Sequence, residues 1–147
     1  MDPLSIAASI AGIVGVCLQA AGSLDALRSK FQHAQVTITA LASQCRAIKT
    51  GLSRLQMVTV QNHAIRNQDD IIHTMDTTLT GCMVVLSCFD NTLEKLCKAG
   101  TGAKRSLITR WRNKARVVWN EDEMKGYISL LQGQQSSVAF LVQLLQM

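Results

Sequence analysis

The 147-residue sequence contains little that would interrupt a helix or build a sheet. Proline occurs once, at Pro3, and aromatic residues make up only 4% of the chain. Because proline breaks helix interiors and aromatic residues are enriched in strands, this composition favours an all-helical domain. Hydrophobic residues make up 48% of the chain, which is a globular proportion and argues against disorder.

The chain also lacks the residue groupings that support catalysis or metal binding. No CxxC pair occurs, so we expect reduced, mostly buried thiols in an intracellular protein, and not a zinc site, at Cys17, Cys45, Cys82, Cys88 and Cys97. The glycines at 100 and 102 fall short of a phosphate-binding loop, and the three histidines form no HExxH motif. We therefore expect no enzyme activity, no cofactor, no metal and no small-molecule substrate.

Apolar residues recur at alternating spacings of three and four, which is the pattern of helices packed at a shallow angle. One such stripe runs from Ile10 through Gly22 to Phe31, so we expect the first helix to continue past Gly22. The clearest stripe consists of Ile72, Met75, Leu79, Cys82, Leu86, Phe89, Leu93 and Leu96. The predicted helices cover residues 3–30, 34–58, 69–98, 104–118 and 121–146. They predict a single domain over residues 1–147 that folds as a four- to five-helix bundle.

The N-terminal segment from Leu4 to Ala21 contains no charged residue. A run of this length lies at the lower limit for a membrane-spanning helix, and it equally suits a buried helix of a bundle. A signal peptide is disfavoured because Asp2 precedes the run without any Lys or Arg, and no clear cleavage site follows. Since the apolar stripe continues beyond Ala21, we expect this helix to be buried in the bundle at rest, while its lack of charge would suit lipid as well as a core.

Two kinds of residue share this segment. Small residues four apart allow close helix approach in membranes, and they are Ser5, Ala8, Ser9, Ala11, Gly12 and Gly15. Bulky apolar residues would face lipid after insertion, and they are Leu4, Ile6, Ile10, Ile13, Val14 and Leu18. In the resting protein we expect the small residues to let the first helix pack tightly inside the bundle.

A basic segment without acidic residues precedes the last predicted helix. The residues predicted to contact anionic lipid are Lys104, Arg105, Arg110, Trp111, Arg112, Lys114 and Arg116. Each Lys or Arg near an anionic surface contributes about 1 kcal/mol, and Trp111 or Trp119 would suit the headgroup level. A solvated helix face without a function is an open alternative. Nucleic-acid binding is favoured less, because no reading motif accompanies the segment.

Two stretches of the chain resemble one known family. MDPLSIAASIAGIVGV at the N-terminus is similar to the opening of fungal HeLo-like N-terminal domains, and WNEDEMKGYISLLQGQQSSVAFLVQLLQ is similar to their closing segment. The helix order and the length fit as well. The chain departs from the family pattern because it contains no nucleotide-binding, repeat or prion-motif region.

The resemblance implies a helical bundle similar to that of mixed-lineage kinase-like necroptosis effectors. Such domains stand at the N-terminus of fungal NOD-like receptors, related STAND proteins or prion-signalling proteins, where they execute regulated cell death in heterokaryon incompatibility and defence. Oligomerisation would free the N-terminal helix, whose membrane-active part corresponds here to Asp2–Leu18, to permeabilise the plasma membrane.

We accordingly expect a membrane-targeting cell-death effector domain that is cytoplasmic at rest and moves to the plasma membrane when activated. Its expected partners are further copies of itself, anionic lipids, and an upstream receptor or prion-motif protein. One alternative is a helical adaptor that assembles receptors by homotypic contact without touching lipid. Another is a basic bundle associated with nucleic acid, for which steeply salt-dependent binding is expected.

Overall fold

Four long helices form the protein in the computed structural model, which describes residues 3–61, 69–98 and 119–146. Helix α1 covers Pro3–Lys30, α2 covers Gln35–Gln61, α3 covers Asp69–Lys98 and α4 covers Glu121–Gln146. A 3-10 turn, Gln32–Ala34, joins α1 to α2, and these ranges contain no strand. The predicted all-helical bundle is therefore confirmed. The predicted helix 104–118 lies outside the described residues.

The helices occupy the four corners of a bundle. α1 packs against α2 and α3, and α4 packs against the same two helices. α1 and α3 are parallel, because Gly12 lies beside Met83 while the carbonyl of Ser23, further along α1, lies beside Cys97, further along α3. α2 and α3 consequently occupy diagonally opposite corners, so their outer faces point in different directions.

One apolar core runs the length of the bundle. The stripe predicted for the first helix is buried throughout, and it consists of Ile10, Ile13, Cys17, Ala20, Leu24, Leu27 and Phe31. α1 continues through Gly22 because this stripe keeps its contact with the core on both sides of that residue. The observed end of α1, Lys30, is the residue predicted.

α2 extends three residues beyond its predicted end at residue 58 and stops at Gln61. Thr59 is buried, and its hydroxyl donates a hydrogen bond to the Leu55 carbonyl at 2.7 Å. This bond satisfies the threonine hydroxyl inside the helix, so the helix continues past residue 58. α4 starts as predicted, with the Asn120 side-chain oxygen accepting a hydrogen bond from the Glu123 backbone amide at 3.1 Å.

Candidate functional site

The inner face of α1 holds most of the residues predicted to face lipid. Ile6, Ile10 and Ile13 are buried in the core against α2 and α3, with 3%, 0% and 1% of their surfaces exposed. Val14 is half-buried, and Leu18 is 53% exposed. The side chain of Leu4 lies outside the described residues. In this state the bulky residues of α1 therefore serve the bundle, with Leu18 as the exposed exception.

The outer face of α1 holds the small residues. Five of the six are exposed, namely Ser5, Ala8, Ala11, Gly12 and Gly15, and Ser9 is half-buried. At Gly15 and Gly22 an added Cβ would meet no atom within 4 Å, whereas at Gly12 it would lie 3.6 Å from the Met83 methyl group. The expectation that these residues pack α1 tightly inside the bundle is therefore wrong for most of them. They form an open, nearly flat surface along the helix.

This outer surface carries no charge from Ser5 to Leu24, and the first charged residue is Asp25. A surface helix of a soluble bundle normally presents charged residues on its outer face, whereas a helix that is apolar all round is normally enclosed by protein or lipid. α1 and α3 are the two described helices that are long and apolar enough to cross a membrane, a test that core helices of soluble proteins also pass. α3 differs because its outer face is charged near both ends, at Asp69, Asp70 and Asp76 and at Lys95 and Lys98.

Polar contacts hold the C-terminal third of α1 to its neighbours. Arg28 donates to the Thr39 hydroxyl at 3.0 Å and accepts a bond from the Gln35 side chain through its backbone carbonyl at 2.6 Å. Lys30 Nζ donates to the Leu96 carbonyl at the end of α3 at 2.7 Å. These directional bonds fix the C-terminal end of α1, while the core-facing side chains from Ile6 to Ala20 pack through apolar contacts.

An aromatic cluster closes the same end of the bundle. The rings of Phe31 and Trp119 pack with their centroids 5.3 Å apart. Trp119 Nε1 donates to one carboxylate oxygen of Glu121 at 2.6 Å, and the Thr37 hydroxyl donates to the other. The bond from Thr37, followed by that from Trp119, lowers the pKa of Glu121. Trp119 is thus buried beneath the end of α1 at rest, and the choice of Trp111 or Trp119 for the headgroup level stays a prediction.

A buried carboxylate lies in the interface between α1 and α3. Asp90 stands seven residues after Met83 and seven before Cys97, both of which contact α1, so it shares their side of α3. Only 9% of Asp90 is exposed, and its Oδ1 atom has no hydrogen-bond partner among the described residues. Burial, together with the nearby Glu94, raises the pKa of Asp90. Because a buried carboxylate oxygen without a partner costs free energy, ionised Asp90 destabilises the folded bundle.

A groove of about 240 Å³ opens along the same interface, closer to the N-terminus of α1. Its lining residues are Ser9, Ile13, Asp76, Leu79, Thr80, Met83 and Val84. The periodic pattern did not reveal the polar character of this interface. The signal available in the sequence was an aspartate placed directly between the stripe residues Phe89 and Leu93.

The thiols are consistent with a reduced core. Cys17, Cys45 and Cys82 are buried and free, and burial raises their pKa values to about 11, 12 and 12. Cys88 is exposed, and Cys97 is half-buried. In the described ranges no cluster of three or more His, Cys, Asp or Glu residues is arranged to hold a metal ion. The residues predicted to dock on anionic lipid, Lys104 to Arg116, all lie outside those ranges.

The fold and the surface of α1 define a class: a helical bundle whose first helix is uncharged on every side from Ser5 to Leu24. Over residues 1–147 the chain matches the family described as pigment biosynthesis cluster protein PigL N-terminal, and it belongs to that family. No curated protein and no solved structure matches the chain. The all-helical architecture implied by the resemblance to HeLo-like domains is observed, while the matching family carries a different description.

Proposed function

We propose that this chain is a membrane-targeting effector domain in which α1 is stored against the bundle at rest and enters lipid after several copies assemble. The observation that carries the proposal is the uncharged surface of α1 on all sides between Ser5 and Leu24. Twenty helical residues span roughly 30 Å, which is about the thickness of the hydrocarbon core of a bilayer.

Transfer of α1 from the bundle to a bilayer is nearly neutral for its buried side chains. Ile10, Ile13 and Leu24 are shielded from water in the core and would be shielded again by lipid tails. The small residues on the outer face would gain more, because in lipid they allow close contact with a neighbouring helix. The polar contacts of Arg28 and Lys30 keep the other end of α1 attached to the bundle.

The biological setting we propose follows from the resemblance to HeLo-like domains. Such a domain would stay in the cytoplasm as a resting bundle, respond to an upstream receptor or prion-motif partner, and permeabilise the plasma membrane in regulated fungal cell death. Anionic lipid would attract the basic segment from Lys104 to Arg116. The domain would act through insertion alone, without catalysis.

A helical adaptor that assembles by homotypic contact is the second candidate. The open surface at Gly15 and Gly22 favours it, because glycine on a helix surface permits close approach of another helix in water as well as in lipid. This candidate predicts oligomers in solution and no affinity for vesicles.

Dye release from vesicles tests the proposal with variants that alter only the outer face of α1. Ala11→Glu combined with Gly15→Glu places two carboxylates on this face, where both positions are exposed. The matched control, Gly133→Glu combined with Ser136→Glu, places the same charge on the exposed face of α4. We expect the unmodified chain and the control to release dye from anionic vesicles, and the α1 variant to remain folded but inactive.

Two results would count against membrane insertion. One is the absence of leakage by the unmodified chain at every protein concentration, and the other is equal leakage by the α1 variant. If the chain forms oligomers by light scattering but does not sediment with neutral or anionic vesicles, the adaptor is the better description.

A further inference from the structure

The outer face of α2 is basic, and no described residue forms an ion pair with it. α2 contains no acidic residue over its whole length, and its exposed cations are Arg46, Lys49 and Arg54. The ion pairs between described residues are Arg28 with Asp25 and Lys98 with Glu94, so none of the three cations of α2 forms one there. Large exposed apolar side chains follow the cations along the helix, at Met57 and Val60, which are 62% and 61% exposed.

The N-terminal half of α3 presents the complementary surface. Asp69, Asp70 and Asp76 are exposed and form no ion pair with any residue in the described ranges. An exposed apolar residue, Val84, follows them and is 57% exposed. From residue 46 to 60 of α2 and from residue 69 to 84 of α3, charge comes first and an apolar side chain afterwards, with opposite signs of charge; α2 also exposes Val36 ahead of its cations.

The spacing of the two faces also matches. Arg46 precedes Val60 by 14 residues, and Asp70 precedes Val84 by 14 residues. If α2 of one copy lies parallel to α3 of another with Val60 beside Val84, Arg46 comes level with Asp70. In the same register Asp76 falls between the levels of Lys49 and Arg54.

The two faces cannot neutralise each other within one chain, because α2 and α3 occupy diagonally opposite corners of the bundle. We propose that the outer face of α2 docks a second copy of this chain through the N-terminal half of its α3, with the two helices parallel. Since each copy carries both faces on different sides, the contact is head-to-tail and repeats from copy to copy. This inference names the contact by which the proposed effector assembles, and it rests on that proposed function.

Charge reversal with mixing tests this contact in the full chain and without lipid. The first variant carries Arg46→Glu and Arg54→Glu, so both of its faces are acidic. The second carries Asp70→Lys and Asp76→Lys, so both of its faces are basic. All four positions are exposed, and the side chains make no hydrogen bond to a described residue. A control, Lys95→Glu with Lys125→Glu, changes the net charge as the first variant does but lies elsewhere on the surface.

Sedimentation velocity measures the result across protein concentrations. We expect the unmodified chain and the control to self-associate, and each charge-reversed variant to associate at least about tenfold more weakly, because like charges then face each other. An equimolar mixture of the two variants is expected to restore assembly. Thermal melts by circular dichroism show whether each variant is folded.

Disulfide trapping tests the parallel register independently of charge. Val60→Cys and Val84→Cys are placed on separate copies that also carry Cys88→Ser, since Cys88 is the exposed thiol nearby. We expect a cross-link between the two copies, and none when the cysteine is moved to the exposed Ser136 of α4.

Three outcomes would overturn the inference. They are a mixture that stays monomeric, a variant that assembles alone as the unmodified chain does, and an Arg46→Glu, Arg54→Glu variant that assembles normally but no longer binds anionic vesicles. The last outcome would assign the face to lipid. None of these results decides whether α1 inserts into membranes, because vesicle leakage by the Ala11→Glu, Gly15→Glu variant measures that step separately.

Discussion

Replacing Gly15 with alanine should stabilise the isolated chain, because the outer face of α1 is open at that position. A glycine in a helix interior costs about 1 kcal/mol relative to alanine. A Cβ at Gly15 has no neighbouring atom within 4 Å, so the added methyl group causes neither a clash nor new burial. We expect the free energy of unfolding to rise by about 1 kcal/mol, which is roughly 2–4 °C in Tm for a chain of this size.

Gly51 in α2 provides the matched control. A Cβ there would lie 3.1 Å from Val138 Cγ1 in α4. Valine has few alternative rotamers, and overpacking of this kind costs about 1–3 kcal/mol. The clash therefore cancels or exceeds the gain in helix propensity. We expect Gly51→Ala to leave the free energy of unfolding unchanged or to lower it by up to about 2 kcal/mol.

Urea unfolding followed by circular dichroism measures both changes, and an unchanged slope shows that the difference lies in stability. If Gly15→Ala destabilises the chain, or shifts the midpoint no further than Gly51→Ala, then the outer face of α1 is packed against something. That result would contradict an open outer face on α1.

Four further predictions concern the interior and the aromatic cluster at its end. Burial raises the pKa of Asp90, so the folded chain binds a proton at this carboxyl group more tightly than the unfolded chain does. The free energy of unfolding should therefore increase as the pH falls through the raised pKa. The urea midpoint of Asp90→Asn should lose this pH dependence and lie higher than that of the unmodified chain near neutral pH. Trp119→Phe removes the hydrogen bond to Glu121 and should cost about 1–3 kcal/mol in the same assay. Because the pKa of Glu121 is lowered in the folded chain, its carboxylate stabilises the fold at pH values above its ordinary pKa of 4.5. This stabilisation is lost as the pH falls below that value, and Glu121→Gln should remove the loss of stability in acid. Ile13→Ala leaves a cavity in the core and should lower the free energy of unfolding by about 2–5 kcal/mol.

The helices and the core could be predicted from the sequence because apolar residues recur with a strong helical period. Leu86 belongs to a stripe of apolar residues at heptad spacing on α3, and every member of that stripe from Met75 to Leu96 is buried. The same signal predicted that α1 passes through Gly22. It failed at the end of α2, where Thr59 looks polar in the sequence but satisfies its hydroxyl within the helix.

The candidate site could be predicted from the sequence only in part. On α1 both faces are apolar, so the pattern located the buried stripe but did not show that Ala8, Gly12 and Gly15 point outward. The cluster of Trp119 with Thr37 joins residues far apart in the chain through Glu121, and no local pattern encodes such a contact. The charge match between α2 and α3 depends on which corners the helices occupy, which becomes visible only in the assembled bundle.

The energetics of the core link release of α1 to assembly. Four large side chains on α1 are almost fully buried, Ile10, Ile13, Leu24 and Leu27. At about 1.5–3 kcal/mol each, exposing them to water costs roughly 6–12 kcal/mol. This equals the whole stability of a typical domain, roughly 5–15 kcal/mol, before the uncovered faces of α2 and α3 are counted. An isolated chain in water therefore unfolds before it releases α1 alone. The release of α1 that we propose would therefore require lipid to receive α1 and another surface, such as a second copy, to cover the groove that it leaves.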